Sequence, residues 1–400
     1  MQKDSLLYRL FPFLTWMKGY QPATLRHDAM AGLTVAAVLV PQSMSYAILA
    51  GLPPVYGLYA AVGAPLIGAM WGSLRQMATG PIAIMSLLVL TTLSNLAEPG
   101  SARYIDLAFL LALIVGILYL GIGLFKLGEI MSFISHSAVR GFTAAAALII
   151  TATQLPSFMG LEVARHEYIA QQLLDIVTSL PGLHIPTVIV GVVAFAIIYG
   201  VKYFKPAFPA SIAALVVTTI ATYLLRLDQK GVAIVGNIPE GLPVFHLPAF
   251  DLETISSLIG PAVVIALVSF AETYSVGKAI SSETKQKLKV DQEFVGQGMA
   301  NLVGSFFQAY PVSGSFSRTA INFATGAKTG ISSAFSSICV VVSLLFLTPL
   351  FTYIPKAALA AMVISAVLLL FHPKAVFNLW KMNRHDGIVA ITVFVLSLIH

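Results

Sequence analysis

Charged side chains are scarce in this sequence. Asp, Glu, Lys and Arg make up 10% of 400 residues, against about 25% in an ordinary soluble domain. With 58% hydrophobic residues there is too little polar surface to clothe a core of this size in water. A soluble enzyme, a secreted module and a disordered scaffold are excluded, and the chain reads as a polytopic membrane protein with lipid as its solvent. Cysteine is nearly absent. Cys339 alone rules out an internal disulfide framework and reads as a small packing residue in an apolar run. Catalytic signatures are missing as well: no His-Glu-x-x-His, Gly-x-Ser-x-Gly or Walker loop occurs, and the histidines show no metal-type spacing. A membrane hydrolase and an ATP-driven pump therefore have no footing. The expectation is a protein that is not an enzyme and carries no cofactor or metal.

Apolar stretches broken by short loops are abundant. Gly (30) and Pro (21) are scattered through them, as in membrane helices rather than barrel strands. Spans are predicted near 30–50, 54–72, 81–96, 104–125, 137–155, 185–204, 209–226, 257–277, 292–308, 315–327, 331–352, 356–371 and 385–399. The first 28 residues carry Lys3, Arg9, Lys18 and Arg26 among Leu6, Leu7, Leu10, Phe11, Phe13 and Leu14. They read as a cytoplasmic amphipathic lead-in rather than a cleaved signal. Lys and Arg gather on the N-terminal side of this topology. On the other side fall Arg103, Arg165, Arg226, Lys230 and Lys356, and Arg318 lies at membrane depth. The net charge of +6 is thus a positive-inside signal, and the basic run Lys285–Lys289 is an inside loop rather than a nucleic-acid site.

Two short spans begin oddly. The third opens at Gly80-Pro81 and the tenth near Ser315, after Tyr310-Pro311-Val312-Ser313-Gly314. Paired Gly/Pro-interrupted segments in matching places point to an inverted repeat with a site at the bilayer midplane. The domains expected are a cytoplasmic segment 1–29, a first repeat 30–226, an extracellular or periplasmic connection 227–256 and a second repeat 257–400. The second repeat lacks a fourteenth span, so the chain reads as a fragment.

A helix that starts in mid-bilayer leaves its first N–H groups unpaired and carries about half a positive charge there. Two such ends facing one another make an anion cradle. Ser313, Ser315 and Ser317 add hydroxyl donors in the tenth span. Arg318 adds a permanent charge whose cost at that depth marks it as functional, unless it only locks helices together. Glu272 is the acid well inside a span, apart from edge residues such as Asp106, and is the candidate for proton coupling or for pairing with Arg318. Gln42 and Tyr46, within Pro41–Tyr46 of the first span, either serve a site or make plain interhelical hydrogen bonds. The row Ala60, Ala64, Gly68 and Gly72 reads as helix packing.

Four ordered motifs carry a resemblance: Gly51-Leu-Pro-Pro-Val-Tyr-Gly-Leu-Tyr59, Thr79-Gly-Pro81, Glu293-Phe-Val-Gly-Gln-Gly-Met-Ala-Asn301 and Pro311-Val-Ser-Gly-Ser-Phe-Ser-Arg-Thr-Ala320. Together they resemble the signatures of the SulP sulfate-permease family, which includes the mammalian solute-carrier anion exchangers and prestin. The resemblance implies an all-α, seven-plus-seven inverted-repeat (UraA-like) fold with core and gate domains and elevator-type transport. It implies an anion site formed by Gln42, Tyr46, Ile82, Ala83, Ser315, Phe316, Ser317 and Arg318. Members dimerise and carry a C-terminal STAS domain, which this sequence lacks. A sodium-coupled bicarbonate branch has an Asp and, one turn later, a Thr where this chain has Glu272 and Val276, which favours protons over sodium. The function expected is proton-coupled uptake of sulfate or a similar small anion by a homodimer in a bacterial inner membrane. A bicarbonate or dicarboxylate carrier, or a nucleobase symporter of the same fold, is the alternative, and a passive anion channel is a third.

Overall fold

The computed structural model describes residues 11–18, 20–129, 135–163, 169–204, 209–249, 251–368 and 384–399. Leu6, Leu7 and Leu10 of the lead-in, the end of the span predicted at 356–371, and several loop charges (Lys3, Arg9, Arg165, Lys205, Lys374 and Lys381) lie outside these residues. After a single turn, Leu14–Met17, the helices are α1 Pro22–Leu49, α2 Pro54–Trp71, α3 Ala83–Leu93, α4 Ala102–Leu124, α5 His136–Met159, α6 Ile169–Ser179, α7 Ile185–Phe204 and α8 Ala210–Leu224. They continue with α9 Leu252–Thr284, α10 Val290–Ser305, α11 Phe316–Ala324, α12 Ile331–Val342, α13 Lys356–Val367 and α14 Arg384–Ile399. Two strands of two residues each, β1 Thr79–Gly80 and β2 Ser313–Gly314, precede α3 and α11.

Every predicted span has a helix at its place, and among the described residues seven helical stretches are long and apolar enough to cross a membrane. The edges differ for physical reasons. α1 starts at Pro22 rather than near 30, because proline at the first helical position needs no N–H partner. α9 begins earlier than 257, where the Asp251 side chain caps the N–H groups of Glu253 and Thr254. α6 was not among the spans. Its apolar residues fall on one face, and at 11 residues, about 16 Å, it is too short to cross. α12 passes through a π turn, Ser343–Leu347, into a last turn, Thr348–Phe351.

The chain divides into two compact units, each assembled from separate stretches of sequence. The first comprises Met1–Met131 and Glu240–Phe346, the second Ser132–Pro239 and Leu347–His400. In the first unit α10 packs on α4 and α2, α12 on α1 and α2, and α9 on α4. Backbones approach closely there because side chains are missing. A Cβ on Gly296 would lie 2.6 Å from the Gly72 backbone nitrogen, so α10 comes this close to the end of α2 because Gly296 has no side chain. Gly68 of the small-residue row similarly faces Thr79 of β1. In the second unit α5 packs on α14 and α13, and α7 packs on α8 and α13. The segment after α8 runs back along the start of α13, with Val235 N–H donating to Ile354 O at 2.8 Å and Lys356 N–H to Ala233 O at 2.9 Å.

Candidate functional site

The two interrupted spans meet inside the first unit. β1 and β2 pair antiparallel, with Thr79 opposite Gly314 and Gly80 opposite Ser313, and Ser315 N–H adds a bond to Ala78 O at 2.9 Å. Three residues beyond Gly80, and immediately after Ser315, the chain turns helical as α3 and α11. At about 1.5 Å per residue these helices of 11 and 9 residues are each about half as long as a bilayer core is thick. Their first turns therefore start from one short ladder.

The N-terminus of α3 has no side-chain cap. Its first N–H groups, from Ala83 to Met85, are left to whatever occupies the space before them. Ile82 and Ala83 are buried. In α11 the Ser315 hydroxyl accepts from Arg318 N–H at 3.4 Å, while Phe316 and Ser317 supply the preceding two N–H groups. The Ser317 hydroxyl lies 3.5 Å from that of Ser315. Phe316 is 49% exposed, and its backbone N–H belongs to the first turn of α11.

Arg318 is 1% exposed. Its Nη1 donates to Gln42 Oε1 at 3.3 Å, while Nε and Nη2 find no partner among the described residues. A Cβ on Gly80 would stand 3.1 Å from Nη2, so the absence of a side chain there admits the guanidinium to the ladder. Tyr46, Tyr310 and Glu272 are within electrostatic reach of that charge. No hydrogen bond joins Glu272 to Arg318, and Glu272 Oε2 is buried without a partner among the described residues. Unpaired donors on a buried cation, beside the uncapped start of α3 and the first N–H groups of α11, have the chemistry to hold a small anion.

Gln42 is thus brought into direct contact with Arg318, and Tyr46 and Glu272 are set nearby. Val276 packs among Leu74, Met77 and Ile280, and its side chain presents no oxygen. Among the described residues no three His, Cys, Asp or Glu side chains gather as metal ligands.

The groups that hold the ladder do not stand out in the residue pattern. Asn301 takes both backbone groups of Val312, accepting from its N–H and donating to its carbonyl, each at 2.8 Å. Thr273 Oγ1 accepts from Gly314 N–H at 3.1 Å and lies 2.8 Å from Ser313 Oγ. The Tyr119 hydroxyl bonds Ser269 Oγ one turn earlier on α9. Gln297 Nε2 donates to Thr79 Oγ1 at 3.0 Å, and Thr319 Oγ1 accepts from Ala78 N–H at 3.0 Å. Ser86 on the first turn of α3 meets the Tyr310 hydroxyl at 3.2 Å. Gln297 and Asn301 lie four residues apart on one helix face in an otherwise small and apolar run, a spacing that could have singled them out.

Glu272 is half-buried with its Oε2 enclosed, and two other acids lie deeper in the fold. Glu293, 1% exposed, accepts from Ser73 N–H at 2.9 Å and from its hydroxyl at 2.8 Å. Asp28, 0% exposed, accepts from Lys328 N–H at 2.7 Å, Thr329 N–H at 3.0 Å and the Thr329 hydroxyl at 2.6 Å. Both sit near helix ends and satisfy the backbone of a loop, which Glu272 does not.

The sulfate permease family model matches residues 25–393. The chain is 40% identical over 385 residues to sulfate transporter 4.1, chloroplastic, of Arabidopsis thaliana, covering 94% of this chain and 56% of that protein. It is 34% identical over 403 residues to high affinity sulfate transporter 1 of Stylosanthes hamata, covering 97% and 60%. It therefore spans well under two thirds of these relatives. Among solved structures it resembles the murine Solute Carrier 26 family member A9 anion transporter, with TM-score 0.91, 25% identity and coverage of 100% of this chain and 70% of that one. The transmembrane domain of the cyanobacterial bicarbonate transporter BicA shares the fold, with TM-score 0.85, 22% identity and coverage of 95% and 96%. The sequence motifs, the paired half-helices and these matches agree, and the chain belongs to the sulfate permease family.

Proposed function

We propose that this chain carries small oxyanions, sulfate first among them, across a membrane by secondary active transport. One observation carries the reading: the buried Arg318 guanidinium, with Nε and Nη2 unpartnered among the described residues, beside the starts of α3 and α11. A fixed charge and preoriented N–H groups bind an oxyanion without a proton having to move onto it. The naming of relatives as sulfate transporters supports sulfate as the first substrate to test. In this reading the anion contacts are Gln42, Tyr46, the N–H groups of Ile82 and Ala83, Ser315, Phe316, Ser317 and Arg318.

Glu272 is the proton-coupling group. A carboxylate near Arg318 but not bonded to it can take up a proton when the anion arrives and release it when the anion leaves. The half-spans belong to inverted repeats 30–226 and 257–400, and the unit bearing Arg318 carries the anion in an elevator-type movement. The protein works as a homodimer in a bacterial inner membrane with its N-terminus in the cytoplasm.

The test is uptake of labelled sulfate into proteoliposomes, with bicarbonate, fumarate and uracil as competitors and with imposed proton or sodium gradients. Saturable sulfate uptake driven by a proton gradient and indifferent to uracil supports the reading. Competition by uracil alone replaces it with a nucleobase symporter. Sulfate uptake that never exceeds equilibrium under either gradient replaces coupling with a passive path.

A further inference from the structure

Backbone that stays extended at membrane depth must find hydrogen bonds that water would otherwise supply. The segment 312–314 meets that demand unevenly. β1 pairs with Ser313 and Gly314 on one side, which leaves Val312 and the rest of Gly314 to side chains. Asn301 from α10 reads Val312 as a neighbouring strand would, taking its N–H and its C=O at 2.8 Å each. Thr273 from α9 takes Gly314 N–H at 3.1 Å and meets Ser313 Oγ at 2.8 Å. Both side chains are buried, 1% and 0% exposed. Neither is a substrate contact in the proposed site, and both bond the residues that immediately precede α11.

Had α11 run unbroken through this stretch, these backbone groups would have been satisfied within the helix, and apolar side chains on α9 and α10 would have packed against it. The polar pair serves the interruption. We propose that Asn301 and Thr273 are positioning residues of the anion site: they fix where α11 begins, and so aim the N–H groups of Phe316 and Ser317 and the guanidinium of Arg318. The inference rests on the anion-carrier reading and adds to it the groups that set its geometry. A shift of the start by a fraction of a residue re-aims every donor on the first turn, while the apolar packing of α9 and α10 stays as it is.

The pair Thr273→Val and Thr273→Ser tests this, because valine keeps the shape and loses the oxygen while serine keeps the oxygen. Asn301→Asp adds a near-isosteric change that leaves the acceptor for Val312 N–H and removes the donor to Val312 C=O. Each variant of the full chain is reconstituted and measured for sulfate affinity, KM and maximal rate, melting temperature, and amide hydrogen exchange over 310–316. Thr273→Val and Asn301→Asp are expected to weaken sulfate affinity by on the order of tenfold. Exchange should rise over 310–316, while the maximal rate and the melting temperature move little. Thr273→Ser should restore most of the affinity. Unchanged affinity with a lowered melting temperature makes the pair merely structural and overturns the proposal, as does a Thr273→Ser variant as weak as Thr273→Val. If Asn301→Asp does not fold, the Thr273 pair decides the matter. Wild-type protein that binds none of sulfate, bicarbonate or fumarate brings down the carrier reading and the positioning role together. Wild-type binding with unaltered variants brings down the positioning role alone.

Discussion

Arg318 and Gln42, 276 positions apart in the chain, are joined by a single hydrogen bond, Nη1 to Oε1 at 3.3 Å. That is longer than the roughly 2.7–2.9 Å of a strong charge-assisted bond. The partner is a neutral amide, which orients the guanidinium without cancelling its charge. A buried arginine that retains its charge and has two nitrogens unpaired among the described residues can take an anionic partner.

Replacement of Arg318 follows from this directly. Arg318→Ala should abolish saturable sulfate uptake while the protein stays folded. Arg318→Lys, which keeps the charge and loses the fork, should retain weak uptake with affinity lower by roughly tenfold. Radiolabel uptake alongside a detergent melting curve separates the outcomes, and full uptake by Arg318→Ala would remove the charge from the mechanism.

Gln42 holds the orientation, so changing its charge should act on the substrate. Gln42→Glu places a carboxylate where the anion's own partner lies. Affinity should drop by on the order of thirtyfold, about 2 kcal/mol, from like-charge repulsion and neutralised arginine. Equilibrium binding of sulfate measures this, and affinity equal to wild type would show that the anion does not bind beside the Arg318 guanidinium.

For Glu272 the readout is coupling rather than binding. Glu272→Gln should still bind sulfate, and its uptake should no longer respond to an imposed pH gradient, whereas wild-type accumulation should rise when the outside is made acidic. Uptake at matched and unmatched pH is the measurement. Acid-driven accumulation that survives in the variant assigns the proton to another group.

Asp28 contributes to stability rather than transport. It gathers the Lys328 and Thr329 N–H groups, the Thr329 hydroxyl and, at 3.2 Å, the Tyr20 hydroxyl. Burial, and after it the Asp28 carboxylate, pushes the Tyr20 hydroxyl up to about 12. Asp28→Ala strands several donors where α11 hands over to α12, at a cost of about 3 kcal/mol. Thermal denaturation should show a clear loss, with sulfate affinity of the surviving folded protein near wild type.

How far the site could be read from residues alone differs from group to group. Arg318 announced itself, because an arginine in an apolar run has few reasons to be there. Gly80-Pro81 and Pro311–Gly314 marked both interruptions through residues that disfavour helix. Asn301 and Thr273 did not stand out, since Asn and Thr are also ordinary packing residues between membrane helices. Their role exists only in relation to Val312 and Gly314. Asp28 has no local pattern to single it out, because the loop it caps lies 300 residues further along.

What the sequence by itself determined is local: where apolar runs are long enough to be helices, where glycine and proline stop them, and which charges stand out against lipid. These depend on the chemistry of neighbouring residues. Tertiary structure alone decided that Thr79 pairs with Gly314, that Gly80 leaves room for the Arg318 guanidinium, and that each compact unit is assembled from distant parts of the chain. Such pairings arise when buried backbone groups must find partners wherever packing brings them, and no residue pattern along one stretch of chain records which distant stretch supplies them.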